Sequence, residues 1–351
     1  MESAVSNTQP TAAAGIELES EDGVVRVEPL PDDRWRISVH PTQGVHIHKD
    51  LWVSRYPLGL IREIHATKGL YVCDEIMREE NPRYVEHYLR HEMLSYVEPA
   101  AFRGKRILDF GCGAGASSVV LARLLPECEV VGVELEERLL RIARLRAKHF
   151  GLHRARFLRS PSGDALPESL GSFDFVLFSA VFEHLLPSER RTVLPLVWSH
   201  LNPGGILFLN QTPYRYSPVE IHTTSGLPLI NYLPDRVTLG IVSRFSRRHS
   251  GQVSWERLLR AGIRGGTVSE ILGILRQHGH PVLLEPRAEV GDRIDLWYGG
   301  LSARHRWLKR GIWAGLKVTK AASGRVITPS LALAIRSAIE PSCARPQPRI
   351  A

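Results

Sequence analysis

The chain has 351 residues and a mass of 39.4 kDa, enough for one large domain or for a core domain with additions. Apolar residues make up 43% and charged residues 23%, with a mean hydropathy of −0.12. That balance excludes a mostly disordered chain, a collagen-like fibre and a small disulfide scaffold. The net charge of +8 is concentrated: from residue 301 onward ten Lys or Arg face one acid, Glu340, so the tail carries +9 and the first 300 residues −1. Nucleic acid is therefore not favoured as a partner, because proteins that bind it spread a basic face over the folded domain.

Cys73, Cys112, Cys128 and Cys343 show no C-x-x-C spacing, which suits a reducing compartment. Residues 1–14 are polar and lack the basic start and apolar run of an export signal. No apolar run reaches the roughly eighteen residues of a membrane span. The expected location is cytoplasmic, or peripheral on the inner face of a membrane.

Taken in chain order, 1–14 reads as a disordered lead and 15–80 as a small β-rich cap. There, runs such as Val24-Val25-Arg26-Val27 and Trp35-Arg36-Ile37-Ser38-Val39 alternate around turn residues. Tyr84, Tyr88, Met93, Tyr96 and Val97 predict an amphipathic helix over 82–97 that leads into a core at 81–210. Strands are expected at 106–110, 129–133, 155–159, 173–179 and 206–210, alternating with helices at 116–125, 136–150 and 188–201. This rhythm predicts an α/β fold, a doubly wound and mostly parallel sheet covered on both faces, with ligands beyond the carboxyl ends of the strands. Residues 211–265 read as a substrate-shaping insertion or lid. Residues 266–300 end the core sheet, with a helix at 267–278 and strands at 281–284 and 293–298. The tail, 301–351, reads as a basic helical extension, with apolar helical segments at 304–322 and 328–339.

The turn Asp109-Phe110-Gly111-Cys112-Gly113-Ala114-Gly115 follows the first core strand and opens the first core helix. Glycines there let a bulky ligand approach the backbone, and the helix start adds unpaired N–H donors. Gly111, Gly113 and Ala116 also satisfy a dinucleotide pattern, with Glu134 about twenty residues on. An NAD-dependent oxidoreductase is thus one alternative reading. A carboxylate at Asp109 favours a cationic ligand over a pyrophosphate. Ser162-Gly163-Asp164-Ala165, Phe173 to Ser179, Glu183-His184-Leu185 and Leu201 to Gly205 follow in order. With these motifs, residues 92–210 resemble the class I S-adenosylmethionine-dependent methyltransferases of the type-11 or type-23 kind.

The resemblance implies S-adenosyl-L-methionine as cofactor. It implies that Asp109 holds the methionine end, that Gly111, Gly113 and Gly115 form the cofactor bed, and that Glu134 accepts from both ribose hydroxyls. Asp164 and Ala165 would meet the adenine, and Ser179 would line the site. His184 is the expected general base for an acceptor hydroxyl, with Glu183 beside it. His222, in the stretch Pro218 to Thr224, is a further catalytic candidate, and Glu220, Tyr214, Tyr216, Asn231 and Tyr232 would shape the pocket. No metal is expected, because these residues form no ligand signature. A non-catalytic scaffold that binds the cofactor is the other alternative.

Between 304 and 339, Trp307, Leu308, Ile312, Trp313, Leu316 and Val318 interleave with basic residues, a composition suited to an anionic membrane surface. Together with the insertion, this tail resembles bacterial enzymes that modify cell-surface glycans or glycolipids, which implies a glycan or small-molecule acceptor.

Overall fold

The computed structural model describes residues 15–42, 45, 47–220, 225–246, 253–302 and 304–338. The expected lead at 1–14 and the end of the tail lie outside them. The chain opens with an antiparallel meander, β1(Ile16–Ser20), β2(Gly23–Leu30), β3(Arg34–Pro41) and β4(Leu51–Ser54). Alternation drives it: Val25, Val27, Ile37 and Val39 are buried on one face. That face packs on α1(Leu58–Lys68) and α2(Val72–Glu80) through Leu60, Ile61, Ile64 and Ile76, and the same cluster takes in Ala114 and Ile142 of the core. The cap is therefore four strands plus two helices, docked on the glycine turn.

After α3(Val85–Met93) come β5(Arg106–Phe110), α4(Ala116–Leu124), β6(Glu129–Glu134), α5(Glu137–His149) and β7(Ala155–Arg159). They are followed by β8(Phe173–Ser179), α6(Pro187–Trp198) and β9(Leu201–Pro213). The insertion carries α7(Asp235–Phe245) and α8(Trp255–Arg260), which close a small core of Ile230, Val242, Leu258 and Ile263. The chain ends with α9(Val268–Leu275), β10(Pro281–Leu283), α10(Arg293–Gly299), α11(Arg306–Ser323) and β11(Ser330–Ser337).

The seven-stranded sheet has the order β10-β11-β9-β8-β5-β6-β7. The strands from β5 to β9 pair in parallel, and β11 enters antiparallel between β9 and β10. Along β8, Val176 and Phe178 face α6 and α9, whereas Phe175 and Leu177 face α3 and α4. Both faces are covered, as a parallel sheet requires.

Two tail expectations are corrected. The expected strand at 293–298 is the helix α10, because Asp292 accepts hydrogen bonds from the amides of Ile294 (2.9 Å) and Asp295 (3.1 Å) and starts a helical turn. The expected helix at 328–339 is instead strand β11. Its buried Leu331, Leu333 and Ile335 recur every second residue, the period of a strand, and it pairs with β9 along its length. The tail thus supplies a strand of the central sheet. No described helix is long and apolar enough to cross a membrane.

Arg146 of α5 joins the cap to the core. Its side chain has 0% exposure, and it donates to Glu75 Oε1 at 2.9 Å, to the Glu75 carbonyl at 2.7 Å and to the Ala114 carbonyl at 2.8 Å. The Tyr56 ring lies 5.7 Å from the guanidinium. Arg146→Ala leaves Glu75 and the Ala114 carbonyl without their partner, so we expect a loss of about 3–5 kcal/mol, read as a lower urea midpoint at unchanged slope.

Candidate functional site

The carboxyl ends of β5, β6, β8 and β9 meet at one edge of the sheet. Between β5 and α4 the glycine turn folds back, with the Gly111 and Cys112 amides donating to the Val133 carbonyl at 2.9 and 3.1 Å. Gly115 has φ +80°, and a Cβ there would lie 2.5 Å from Ala143 Cβ, so α5 packs against bare backbone. Gly113 has φ +55°, and a Cβ there would meet nothing within 4 Å. One glycine serves packing and the other opens the backbone to a ligand.

Asp109, at the end of β5, is 2% exposed and accepts from Ser117 Oγ at 2.6 Å and Ser118 Oγ at 2.5 Å, in the first turn of α4. Burial pushes its carboxyl up to about 6, against the pull of the two hydroxyls. It lies beneath the turn and borders neither cavity described below. Glu134, at the end of β6, accepts from the Gly113 amide at 3.0 Å through Oε2 and from the Leu135 and Glu136 amides at 2.6 and 3.2 Å through Oε1. The carboxylate thereby fixes the turn that it faces.

A cavity of about 520 Å³ opens over these groups, bordered by Phe110, Glu134, Leu135, Asp164 and Val181. Asp164 is exposed and accepts from Ser162 Oγ at 2.7 Å. Ala165 does not border the cavity; its carbonyl accepts from Ser160 Oγ at 2.6 Å and closes the local turn. Gly111 belongs to the walls of this cavity and of a second one of about 900 Å³, so the two meet at the glycine turn. Gly113, Ser179, Glu183 and His184 border the larger one.

Glu183 and His184 lie on a 3₁₀ turn at Phe182–His184, just past β8. Glu183 is buried and accepts from Thr212 Oγ1 at 2.9 Å; burial raises its carboxyl while His184 draws it back down. His184 Nδ1 is 2.7 Å from the Arg260 carbonyl, which can only accept, so the proton resides on Nδ1 and Nε2 carries a lone pair. Nε2 is 3.8 Å from Glu183 Oε1. A half-exposed imidazole held in this tautomer can take up a proton.

Of the stretch at 218–224, residues 218–220 are described and border neither cavity. Glu220 is buried and its Oε2 accepts from the Ser225 amide, Ser225 Oγ and the Gly226 amide at 2.6–3.0 Å, so it closes its own loop. Tyr214, Tyr216 and Tyr232 pack on one another, and Asn231 donates to the Ser217 carbonyl. None of these borders the two cavities. His222 lies outside the described residues. Among the described residues no group of three or more His, Cys, Asp or Glu is placed to hold a metal ion.

Two groups escaped sequence reasoning. Glu92 of α3 borders the large cavity and accepts from Gln211 Nε2 at 2.6 Å. Gln211 and Ala180, at the ends of β9 and β8, have φ +63° and +53°, a strained backbone of the sort found at functional sites. The available signal was position: Glu92 follows Tyr84 and Tyr88 at four-residue steps, on one helix face. Burial pushes the Glu92 carboxyl up to about 8. A buried acid with a raised pKa favours the fold while protonated, and that contribution is lost as pH rises from the unfolded value, about 4.3, through 8. Glu92→Gln removes the ionisation. Its melting temperature relative to wild type is expected to climb between pH 5 and 8 and to level off above that.

A family model described as a methyltransferase domain matches residues 107–205. A ubiquinone biosynthesis O-methyltransferase of Xanthomonas axonopodis pv. citri is 34% identical over 145 residues, which is 39% of this chain and 57% of that protein. One of Dinoroseobacter shibae is 31% identical over 168 residues, covering 46% and 60%. The chain thus spans under two thirds of the length of these curated relatives. Among solved structures, an O-methyltransferase family protein from Burkholderia thailandensis aligns with a TM-score of 0.44 at 16% identity, over 79% of this chain and 61% of that one. The similarity to methyltransferase domains thus rests on residues 107–205, the segment that carries the glycine turn, the β6 acid and the Glu183-His184 turn.

Proposed function

We propose that the protein transfers a methyl group from S-adenosylmethionine to a hydroxyl of a small-molecule acceptor. The observation that carries this is the meeting of two cavities at Gly111, one bordered by Glu134 and Asp164 and the other by His184 and Glu183. The smaller cavity suits a nucleoside: Phe110, Leu135 and Val181 offer apolar faces to a base, and Asp164 accepts from an exocyclic amine. Three of the roughly four lone-pair sites of Glu134 are taken by backbone amides. Oε2 retains one, enough for one ribose hydroxyl rather than both. Asp109, from beneath the turn, supplies negative charge near the methionine ammonium.

S-adenosylmethionine, when bound, supplies an electrophilic methyl group on a sulfonium. The protein's part is placement, exclusion of water and handling of one proton. His184 Nε2 would take the acceptor hydroxyl's proton as that oxygen is methylated. Glu183, at 3.8 Å, steadies the resulting imidazolium. The dinucleotide alternative is disfavoured: the Gly113 amide is already donated to Glu134, where a pyrophosphate would need it. The antiparallel β11 also departs from the parallel dinucleotide-binding sheet.

The relatives' name supports oxygen as the methylated atom. Tyr84, Tyr88 and Trp297 along the large cavity suit a ring-bearing acceptor such as a sugar or glycolipid. A peripheral membrane location draws support from α11. No residue of this helix is buried, Trp307 is 77% and Val318 69% exposed, and Arg306 and Arg310 lie on it.

Isothermal titration tests the core of this reading: heat with S-adenosylhomocysteine and none with NAD is expected. Glu134→Ala should weaken that binding tenfold or more. His184→Ala should leave it within twofold while labelled methyl incorporation into a bacterial envelope extract falls at least tenfold. Heat with NAD alone would reverse the assignment.

The membrane reading needs substitutions, because removing the tail would also remove β11. Wild type should sediment with vesicles containing phosphatidylserine. The triple variant Trp307→Ser, Arg306→Glu, Arg310→Glu should bind them at least tenfold more weakly. Equal sedimentation of both proteins would dispose of the membrane contact.

A further inference from the structure

Three cations border the large cavity on the side of the cap: Lys68 at the end of α1, Arg78 on α2, and Arg83 just before α3. No carboxylate pairs with any of them within 4 Å among the described residues. Arg78 is steadied by the Tyr84 ring, 5.6 Å from its guanidinium.

The other charges that border the cavity are spoken for. Arg293 pairs with Glu285 at 3.1 Å, and Glu75 pairs with Arg146 at 2.9 Å. Glu183 lies against His184. The Glu92 carboxyl, pushed up to about 8 by burial, is mostly protonated at neutral pH and accepts from Gln211. Asp74, one turn from Arg78, does not border the cavity, and Arg78 draws its carboxyl down against burial. Lys68, Arg78 and Arg83 are thus the cations of the lining that have no carboxylate within 4 Å among the described residues. Two guanidiniums offer forked donors and an ammonium adds a point charge, a set that matches the oxygens of a phosphate.

We infer that Lys68, Arg78 and Arg83 form an anion-binding subsite of the acceptor pocket that takes a phosphate group carried by the methyl acceptor. This rests on the methyl-transfer reading and narrows its substrate class to phosphorylated, ring-bearing hydroxyl compounds. The cap, outside the matched methyltransferase segment, then selects the acceptor while the core supplies the transfer chemistry. The phosphate has two possible sources, a soluble compound or a lipid headgroup presented beside α10 and α11, whose Trp297 and Leu301 neighbourhood borders the same cavity.

The test uses the full chain saturated with S-adenosylhomocysteine, with inorganic pyrophosphate as one titrant and dihexanoyl phosphatidic acid as the other. Binding of either, weakened tenfold or more in the double variant Arg78→Gln, Arg83→Gln, supports the subsite. Tighter binding of the lipid than of pyrophosphate assigns the phosphate to a headgroup, and the reverse assigns it to a soluble acceptor. The variant's affinity for S-adenosylhomocysteine, expected within twofold of wild type, reports on folding. Absence of heat with both titrants, or equal heat in the variant, overturns the inference. So does competition between pyrophosphate and S-adenosylhomocysteine with a tenfold loss of the latter's affinity in the variant, because the cations would then hold the cofactor's own carboxylate. Wild type that fails to bind S-adenosylhomocysteine at all refutes the methyl-transfer reading instead, which keeps the two failures apart.

Discussion

A single buried guanidinium couples the stability of this protein to the shape of its site. Arg146 is fully removed from water, and a charge so placed must be matched in place or it unfolds its surroundings. Its partners come from two different parts of the chain: Glu75 of the cap, through both side chain and backbone, and the Ala114 carbonyl of the glycine turn. The turn is held from its other side by Glu134, through the Gly113 amide. A backbone segment that bends through three left-handed glycines has little preference of its own. It takes one shape here because a cation and an anion grip consecutive residues. The cap lies outside the segment that matches the methyltransferase model, yet the turn near the start of that segment depends on it.

Much of the site was legible because its signals are local. A strand that ends in an acid, a run of alternate glycines and a helix start are covalent neighbours, so the places of Asp109, Gly111, Gly113, Gly115 and Glu134 in the fold follow from spacing, whereas their cofactor roles came from the resemblance. The five parallel strands follow from the same rhythm. What failed was local evidence read with the wrong period. Ile294, Leu296 and Tyr298 alternate like a strand, but Asp292 supplies the cap that starts a helix. Leu331, Leu333 and Ile335 also alternate, and there the alternation does mark a strand, in a stretch expected to be helical because the preceding one is amphipathic. Glu92 and Gln211 are 119 residues apart; no periodicity joins them, and only the sheet brings the end of β9 against α3. Ala165, expected near the adenine from its place in a motif, does not border the cavity, and its carbonyl closes a turn.

The electrostatics of the large cavity divide its labour. On the core side, acids and imidazole are arranged so that none carries an isolated charge: Glu183 takes the Thr212 hydroxyl and lies 3.8 Å from His184. On the cap side Lys68, Arg78 and Arg83 have no carboxylate within 4 Å among the described residues. If the proposed roles hold, a phosphorylated acceptor would be oriented by these cations before any chemistry occurs. The left-handed residues Ala180 and Gln211 fall on the core side, at the ends of neighbouring strands joined by the Ala180 amide and the Asn210 carbonyl at 3.0 Å. Of the described non-glycine residues with left-handed backbone, these two are the ones that border the cavity.

The insertion at 211–265 meets the cavities through Gln211, Pro213 and Arg260. None of its tyrosines reaches the cavities, but α8 ends at Arg260, whose carbonyl receives the Nδ1 proton of His184. The same residue's guanidinium grips Glu189 of α6 with two hydrogen bonds, at 2.5 and 2.6 Å, which lowers the Glu189 pKa. Arg260 therefore clamps α8 to the core and in doing so sets the tautomer of the imidazole. A base whose tautomer is fixed by a backbone carbonyl keeps its lone pair aimed without a buried carboxylate behind it. The carbonyl is weaker than a carboxylate as a support for imidazolium, so in the proposed reaction Glu183 would carry that charge. Through its carbonyl and its guanidinium, Arg260 ties the place of α8 to the tautomer of His184.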